Sequence, residues 1–286
     1  MAVKGAHCAT LDKDLRLMRL ILRFRRSIWR AALCSVGVTL VAVVSLRPAL
    51  AQKPFVPVSH IDPKAQALLN QAVSALGGAA FLNFKTMTTV GRAFSIADGV
   101  TSGFVHYESD EEFPEKRRLS YGFGKKKAIT LINNGDRGWE IDRYGLIEQS
   151  DKQLQAWKQA NRYGLVNVLR RLIHETGTLV QSGGQDFVNN QPAAIVDIVD
   201  ARQVDVKLYL DTETRLPLRI AYRLPNPATH DWDDYAEIYT DYQQVQNVDT
   251  PMHLIRYVNG ERVAETFRFQ AKYGQTYPPG TFQPPR

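Results

Sequence analysis

The chain has 286 residues, 44% hydrophobic and 23% charged, a globular composition that excludes a disordered or collagen-like polymer. Its formal net charge of +7 is local: residues 1–51 carry nine Lys or Arg against Asp12 and Asp14, leaving 27 basic and 27 acidic residues over 52–286. A neutral folded part lacks the basic excess that nucleic-acid binding needs.

Residues 31–46 form an uncharged, mostly apolar run of 16, with five Arg between Arg19 and Arg30 before it and Arg47-Pro48, then Ala49-Leu50-Ala51, after it. A basic start, an apolar middle and a small-x-small end form an export signal. The expectation is a signal peptide over 1–51, cut after Ala51, with Met18 as the true start and a periplasmic destination. An uncleaved anchor stays open, although 16 residues fall short of the roughly 20 that span a bilayer. So does a twin-arginine signal at Arg25-Arg26. A lipoprotein signal at Cys34 would need a small residue where Leu33 stands. Both cysteines, Cys8 and Cys34, fall in the removed segment, so the mature chain must rely on its apolar core.

Residues 52–61 read as an extended, Pro-containing leader, and 62–286 as one domain. Asp62-Pro63 opens a helix: Asp caps the first amides and Pro suits the first turn. Ala65, Leu68, Leu69, Ala72, Val73 and Leu76 recur at helical spacing until Gly77-Gly78 ends it. The pattern then changes to period two, with strands over 86–96, 102–109, 115–123, 126–133, 137–142 and 145–149. Asp98-Gly99, Gly124 and Asn134-Gly135 mark turns between them. A helical interlude begins at Asp151, with an apolar face of Leu165, Val168, Leu169, Leu172 and Ile173. Strands return from residue 178, Asn259-Gly260 marks a hairpin, and the Pro-rich tail from Tyr277 runs extended over the surface.

The βαβ rhythm of a parallel sheet is absent. The fold class predicted is mainly β: one large curved antiparallel sheet of 11–13 strands, a half-open barrel covered by a few helices.

Chemistry-bearing motifs are sparse, and no catalytic residue, metal site or cofactor is assigned. His174-Glu175 starts like a zinc-protease helix, but Thr178 stands where the second His belongs. Gly122-Phe123-Gly124-Lys125 departs from a phosphate loop at Leu119 and Lys126. His230, Asp231, Asp233 and Asp234 form an acidic loop around Trp232, with calcium binding as its functional reading and a solvated loop as its plain one. Lys116, Arg117, Arg118, Lys125, Lys126 and Lys127 follow a run of acids. They read either as a docking patch for an acidic partner or lipid headgroup, or as a hairpin of mutually compensating charges. The 26 aromatics beyond residue 51 leave a solid core and a ligand cavity equally open on physical grounds.

Four segments resemble the outer-membrane lipoprotein-sorting protein family, with its LolA/LolB-like fold. They are the opening helix Asp62–Gly78 with its Ala-Leu-Gly-Gly end, Asn134–Trp139, the hairpin Leu208–Pro217 with its D-x-x-T-x-L-P pattern, and the closing Phe282-Gln283-Pro284. The resemblance implies a half-open barrel whose mouth is covered by helices and whose cavity shelters acyl chains. It implies a carrier of lipid or lipoprotein acyl chains rather than an enzyme. An envelope lipid sensor or scaffold with a membrane-protein partner is the alternative, and a hydrolase a third. The lining expected is Leu165, Leu169, Leu172, Val206, Leu208, Phe267 and Phe269. Arg92, Arg170 and Arg171 are candidates for the family's lid-latching arginine.

Overall fold

The computed structural model describes residues 60–123, 126–226 and 228–285, with backbone alone at 123 and 126–128. The export segment expected over 1–51 and all but the last two residues of the leader lie outside the described residues.

The Asp62 carboxylate accepts from the Ala65 amide at 3.1 Å and caps α1 (Pro63–Ala75), which buries Ala65, Leu69 and Ala72. Gly77 ends the helix with φ +113°, and a side chain there would run into the Asn247 carbonyl oxygen. A short α2 (Ala79–Asn83) follows. The second helical stretch opens with a capping box, in which the Ser150 hydroxyl and the Gln153 side chain each accept from the other's backbone amide. It contains α3 (Asp151–Arg162), α4 (Leu165–Arg170) and a 3-10 turn at Leu172–His174.

The strands before that stretch are β1 (His60–Ile61), β2 (Thr86–Ala97), β3 (Val100–Glu112), β4 (Lys116–Phe123), β5 (Lys126–Asn134), β6 (Arg137–Asp142) and β7 (Gly145–Glu148). After it come β8 (Leu179–Val188), β9 (Gln191–Val199), β10 (Asp205–Asp211), β11 (Pro217–Asn226), β12 (Asp231–Val245), β13 (Val248–Val258) and β14 (Glu261–Tyr273). All fourteen join one sheet in the order β1-β8-β9-β10-β11-β12-β13-β14-β2-β3-β4-β5-β6-β7. Two runs of consecutive hairpins are thus sewn together where β14 pairs antiparallel with β2. The edges β1 and β7 do not meet, so the barrel is half open, as the alternation predicts.

The sheet has fourteen strands against the 11–13 expected, and two further details differ from the sequence reading. The end of the leader, His60–Ile61, adds a parallel strand beside β8. The acidic stretch is the start of β12 rather than a loop: Arg223 pairs with Asp234 at 2.6 Å, and Asn226 and Asn259 both donate to Asp233 at 3.0 Å. Among the described residues no group of three His, Cys, Asp or Glu could hold a metal ion. Nor is any described helix long and apolar enough to cross a membrane.

Register shifts at Ser95/Ile96, Tyr121/Gly122, Ser182/Gly184, Tyr209/Leu210, Arg256/Tyr257 and Arg268/Gln270 give the sheet the local kinks that curl it. Helices α1 and α4 fill the concave side of the β8–β11 half with a dry core that includes Leu69, Leu169, Leu172, Val180, Val206 and Leu208, each at most 1% exposed.

A buried polar knot fixes the second helical stretch to that half. Arg162, at the end of α3, pairs with Glu175 at 2.6 Å and with Asp200 at 3.0 Å. The fully buried Asp200 also accepts from the Tyr163 hydroxyl and from the amides of Arg202 and Val204. Burial and the adjacent Asp200 carboxylate push the Tyr163 hydroxyl up to about 12. Burial opposes charge on Arg162, but its hydrogen bonds to Glu175 and Asp200 prevail and hold the guanidinium above its ordinary range.

Candidate functional site

The other half of the sheet is not filled. Between β12–β14, β2–β5 and the helices lies a chamber of about 630 Å³, within the roughly 300–1,000 Å³ range of small-molecule pockets. Its apolar side comes from the helical cover and adjoining loops: Phe81, Phe84, Trp157, Leu165 and Val166. The sheet side is mixed. Strand alternation turns Tyr107, Ser109 and Glu111 of β3 and Arg117, Leu119 and Tyr121 of β4 inward. Glu237 and Tyr239 of β12, Leu254 and Arg256 of β13, and Thr266 and Arg268 of β14 complete the wall.

Gly91 makes room for part of this wall. It sits in register between Arg268 on β14 and Tyr107 on β3. A Cβ at this position would collide with the Phe267 carbonyl oxygen and stand 2.9 Å from the Tyr107 ring. Burial raises the Tyr107 hydroxyl above its ordinary range, against the pull of Arg268 and Thr89. The Tyr273 hydroxyl shares a 2.8 Å hydrogen bond with that of Thr250, and burial raises Tyr273 likewise.

Charge on the wall is only partly matched. Arg256 reaches Glu237 at 3.2 Å, and Glu237 also accepts from the Tyr239 hydroxyl at 2.9 Å. The Glu237 carboxylate holds Arg256 above the usual guanidinium range. Glu111 accepts from Ser109 at 3.0 Å and stands opposite Arg117 in the β3–β4 register. Arg268 donates from Nη1 to the Pro251 carbonyl at 2.8 Å. The Nε atoms of Arg117 and Arg268 are both buried and lack a hydrogen-bond partner. A buried charged donor left open costs more than a neutral one, about 1–3 kcal/mol or above.

The mouth is held by contacts from the second helical stretch to the β3–β4 hairpin. The Asn161 and Asn167 side-chain amides both donate to the Pro114 carbonyl, and Arg171 pairs with Glu115 at 2.8 Å. Arg170 lies over the rings of Phe84 at 4.8 Å and Phe113 at 5.9 Å. Burial lowers its guanidinium from the ordinary range.

The residues expected to line a cavity separate into three groups. Leu165 is on the chamber wall. Leu169, Leu172, Val206 and Leu208 belong to the dry core instead, because α1 and α4 fill the side where those strands lie. Phe267 and Phe269 point to the outer face, 37% and 57% exposed. There Phe267 stacks on His253 at 4.2 Å and meets Phe94 edge-on, while Arg92 lies over Phe104 and Phe269. The inward residues of β14 in this stretch are Thr266 and Arg268, one position away.

The basic patch also divides. Arg117 is inside the chamber, whereas Lys116 pairs with Glu112 at 2.6 Å and Arg118 reaches the Thr281 carbonyl in the tail at 3.4 Å. Successive residues of a strand face opposite sides, so these three do not form one surface. Lys125 and the side chains of Lys126 and Lys127 lie outside the described residues. The inward-facing Arg256 and Arg268 escaped the sequence reading; the alternation of β13 and β14 was the signal available.

The fold is a half-open barrel, antiparallel but for β1, with helices over one mixed chamber. Comparison with solved structures places the fold. A DUF1329 family protein from Desulfovibrio piger superposes with a TM-score of 0.54 at 9% identity, covering 77% of this chain and 97% of that one. An outer membrane lipoprotein-sorting protein domain from Vibrio parahaemolyticus superposes with a TM-score of 0.50 at 8% identity, covering 76% and 97%. The fold is LolA-like, as the four motifs anticipate. No protein-family model and no curated protein sequence matches the chain.

Proposed function

We propose that the protein is an exported carrier that holds lipid or lipoprotein acyl chains in the chamber, without covalent chemistry. The observation that carries this reading is the unfilled 630 Å³ space roofed by Phe81, Phe84, Trp157 and Leu165. Each methylene buried there contributes about 0.8 kcal/mol. Release requires the helical cover to move or an acceptor of higher affinity to compete. The likeness to the Vibrio parahaemolyticus lipoprotein-sorting domain supports both the ligand class and an envelope location.

The test is mass spectrometry of an organic-solvent extract from the purified protein. The expected result is an acyl lipid that co-purifies and is lost when the chamber is filled by Ala93→Trp. Recovery of no acyl lipid, together with no binding of added lipid, overturns the reading.

A further inference from the structure

The carrier reading leaves the polar side of the chamber unexplained. A cavity for hydrocarbon alone needs no arginine, because a desolvated guanidinium is costly unless something compensates it. Three arginines nevertheless face this space, from three strands: Arg117, Arg256 and Arg268.

The carboxylates on the wall do not use them up. Glu237 engages Arg256 and the Tyr239 hydroxyl. Glu111 accepts from Ser109 and faces Arg117 across the strand pair. Arg268 spends its donors on neutral oxygens, the Pro251 carbonyl and the Tyr107 hydroxyl. The buried Nε atoms of Arg117 and Arg268 remain without partners. A guanidinium carries five N–H donors in a fixed fork matched to a carboxylate or phosphate. Burial pushes Arg117 below the ordinary guanidinium range even with the Glu111 carboxylate nearby, and a further anion would oppose that shift.

We propose that the chamber receives an amphiphile with an anionic headgroup, carboxylate or phosphate, bound at Arg117 and Arg268, with its chain running beneath Phe81, Phe84, Trp157 and Leu165. The inference rests on the carrier reading and adds the ligand's charge and direction: head toward the sheet, tail toward the helices. Neutral esters and waxes offer the two guanidinium groups no counter-charge and bind less well. Burying a polar donor without its partner is the usual source of such discrimination.

The experiment compares three probes on the purified protein: oleate, oleoyl lysophosphatidate and methyl oleate. The expected result is that one or both anions bind at least about tenfold more tightly than the methyl ester, and the preferred anion identifies the headgroup. Arg117→Gln and Arg268→Gln should each remove most of that preference. Arg117→Lys should keep part of it, since charge remains and the planar fork is lost. Equal binding of all three probes by the unaltered protein overturns the headgroup inference and leaves the carrier reading standing. Binding of none of them overturns both. The unaltered protein alone decides between these outcomes, so the test survives if an arginine variant fails to fold.

Discussion

Asn161 and Asn167 converge on one acceptor, the Pro114 carbonyl, donating at 2.8 and 3.3 Å. Asn167 also donates to the Asn161 carbonyl at 2.8 Å, so the two amides tie the α3–α4 junction to the tip of the β3–β4 hairpin. This tie closes one rim of the chamber. Asn161→Ala with Asn167→Ala removes hydrogen bonds worth about 1 kcal/mol each. The expected outcome is roughly tenfold faster amide exchange across residues 151–170, with strand amides unaffected. Hydrogen-exchange mass spectrometry reads both. Unchanged exchange in that stretch would show that the rim is held by apolar packing alone.

Phe267 provides a contrast with the chamber wall. It faces outward against His253 and Phe94, so Phe267→Asp should leave ligand content unchanged. Ala93→Trp, on the wall, should cut ligand content at least about tenfold with little change in melting temperature. Quantitative lipid extraction from the two variants side by side reads this, and the reverse pattern would invert the assignment of faces.

The knot around Asp200 is a stability element. Asp200→Ala strands the Tyr163 hydroxyl and two backbone amides and removes half of Arg162's pairing. Breaking a buried charge pair costs about 3–5 kcal/mol, or roughly 10 °C in melting temperature for a chain of this size. Thermal unfolding checks it; a shift of less than about 2 °C would mean the knot contributes little.

Asp211 makes a pH prediction. Burial works against its charge, yet the amides of Thr214 and Glu213 and the Thr214 hydroxyl all donate to Oδ1, and they hold the carboxyl below the usual range. A depressed folded value means the unfolded chain takes up the proton first. This stabilisation is therefore complete above the ordinary carboxylate value of about 3.9 and disappears as pH falls through the lower, folded one. Asp211→Ala should lower stability by about 1 kcal/mol at pH 7 and by much less near pH 2. Denaturant titrations at the two pH values read the difference, and an equal loss at both would reject the linkage.

The local structure was legible because it is written in local chemistry. Asp62-Pro63 opened a helix, Asp98-Gly99 and Asn259-Gly260 turned hairpins, and period two marked strands to within a few residues. The D-x-x-T pattern is explained physically: Asp211 collects the donors of the turn and Arg215 sits at φ +65°. Other turns gave no such signal. Gln246 adopts φ +48°, and its side chain pairs with the Tyr273 backbone, accepting at 2.7 Å and donating at 3.2 Å. That partner is 27 residues away, beyond any local pattern.

The position of the chamber was illegible for the same reason. Leu208 and Leu254 both sit on apolar-rich strands, yet one is sealed under the helices and the other lines open space. What separates them is which strands the helices cover, a property of long-range packing. The division of Arg117 from Lys116 and Arg118, by contrast, was present in the alternation of a strand already recognised.

The seam between β14 and β2 sets the order of events during synthesis. Phe267 lies beside Arg92 in that seam, 175 positions apart along the chain. Its two flanks supply opposite walls of the hollow, so the hollow cannot exist until the last strand has left the ribosome. Joining ends so distant is entropically slow. A nascent copy therefore lacks the hollow until β14 is made and has paired with β2.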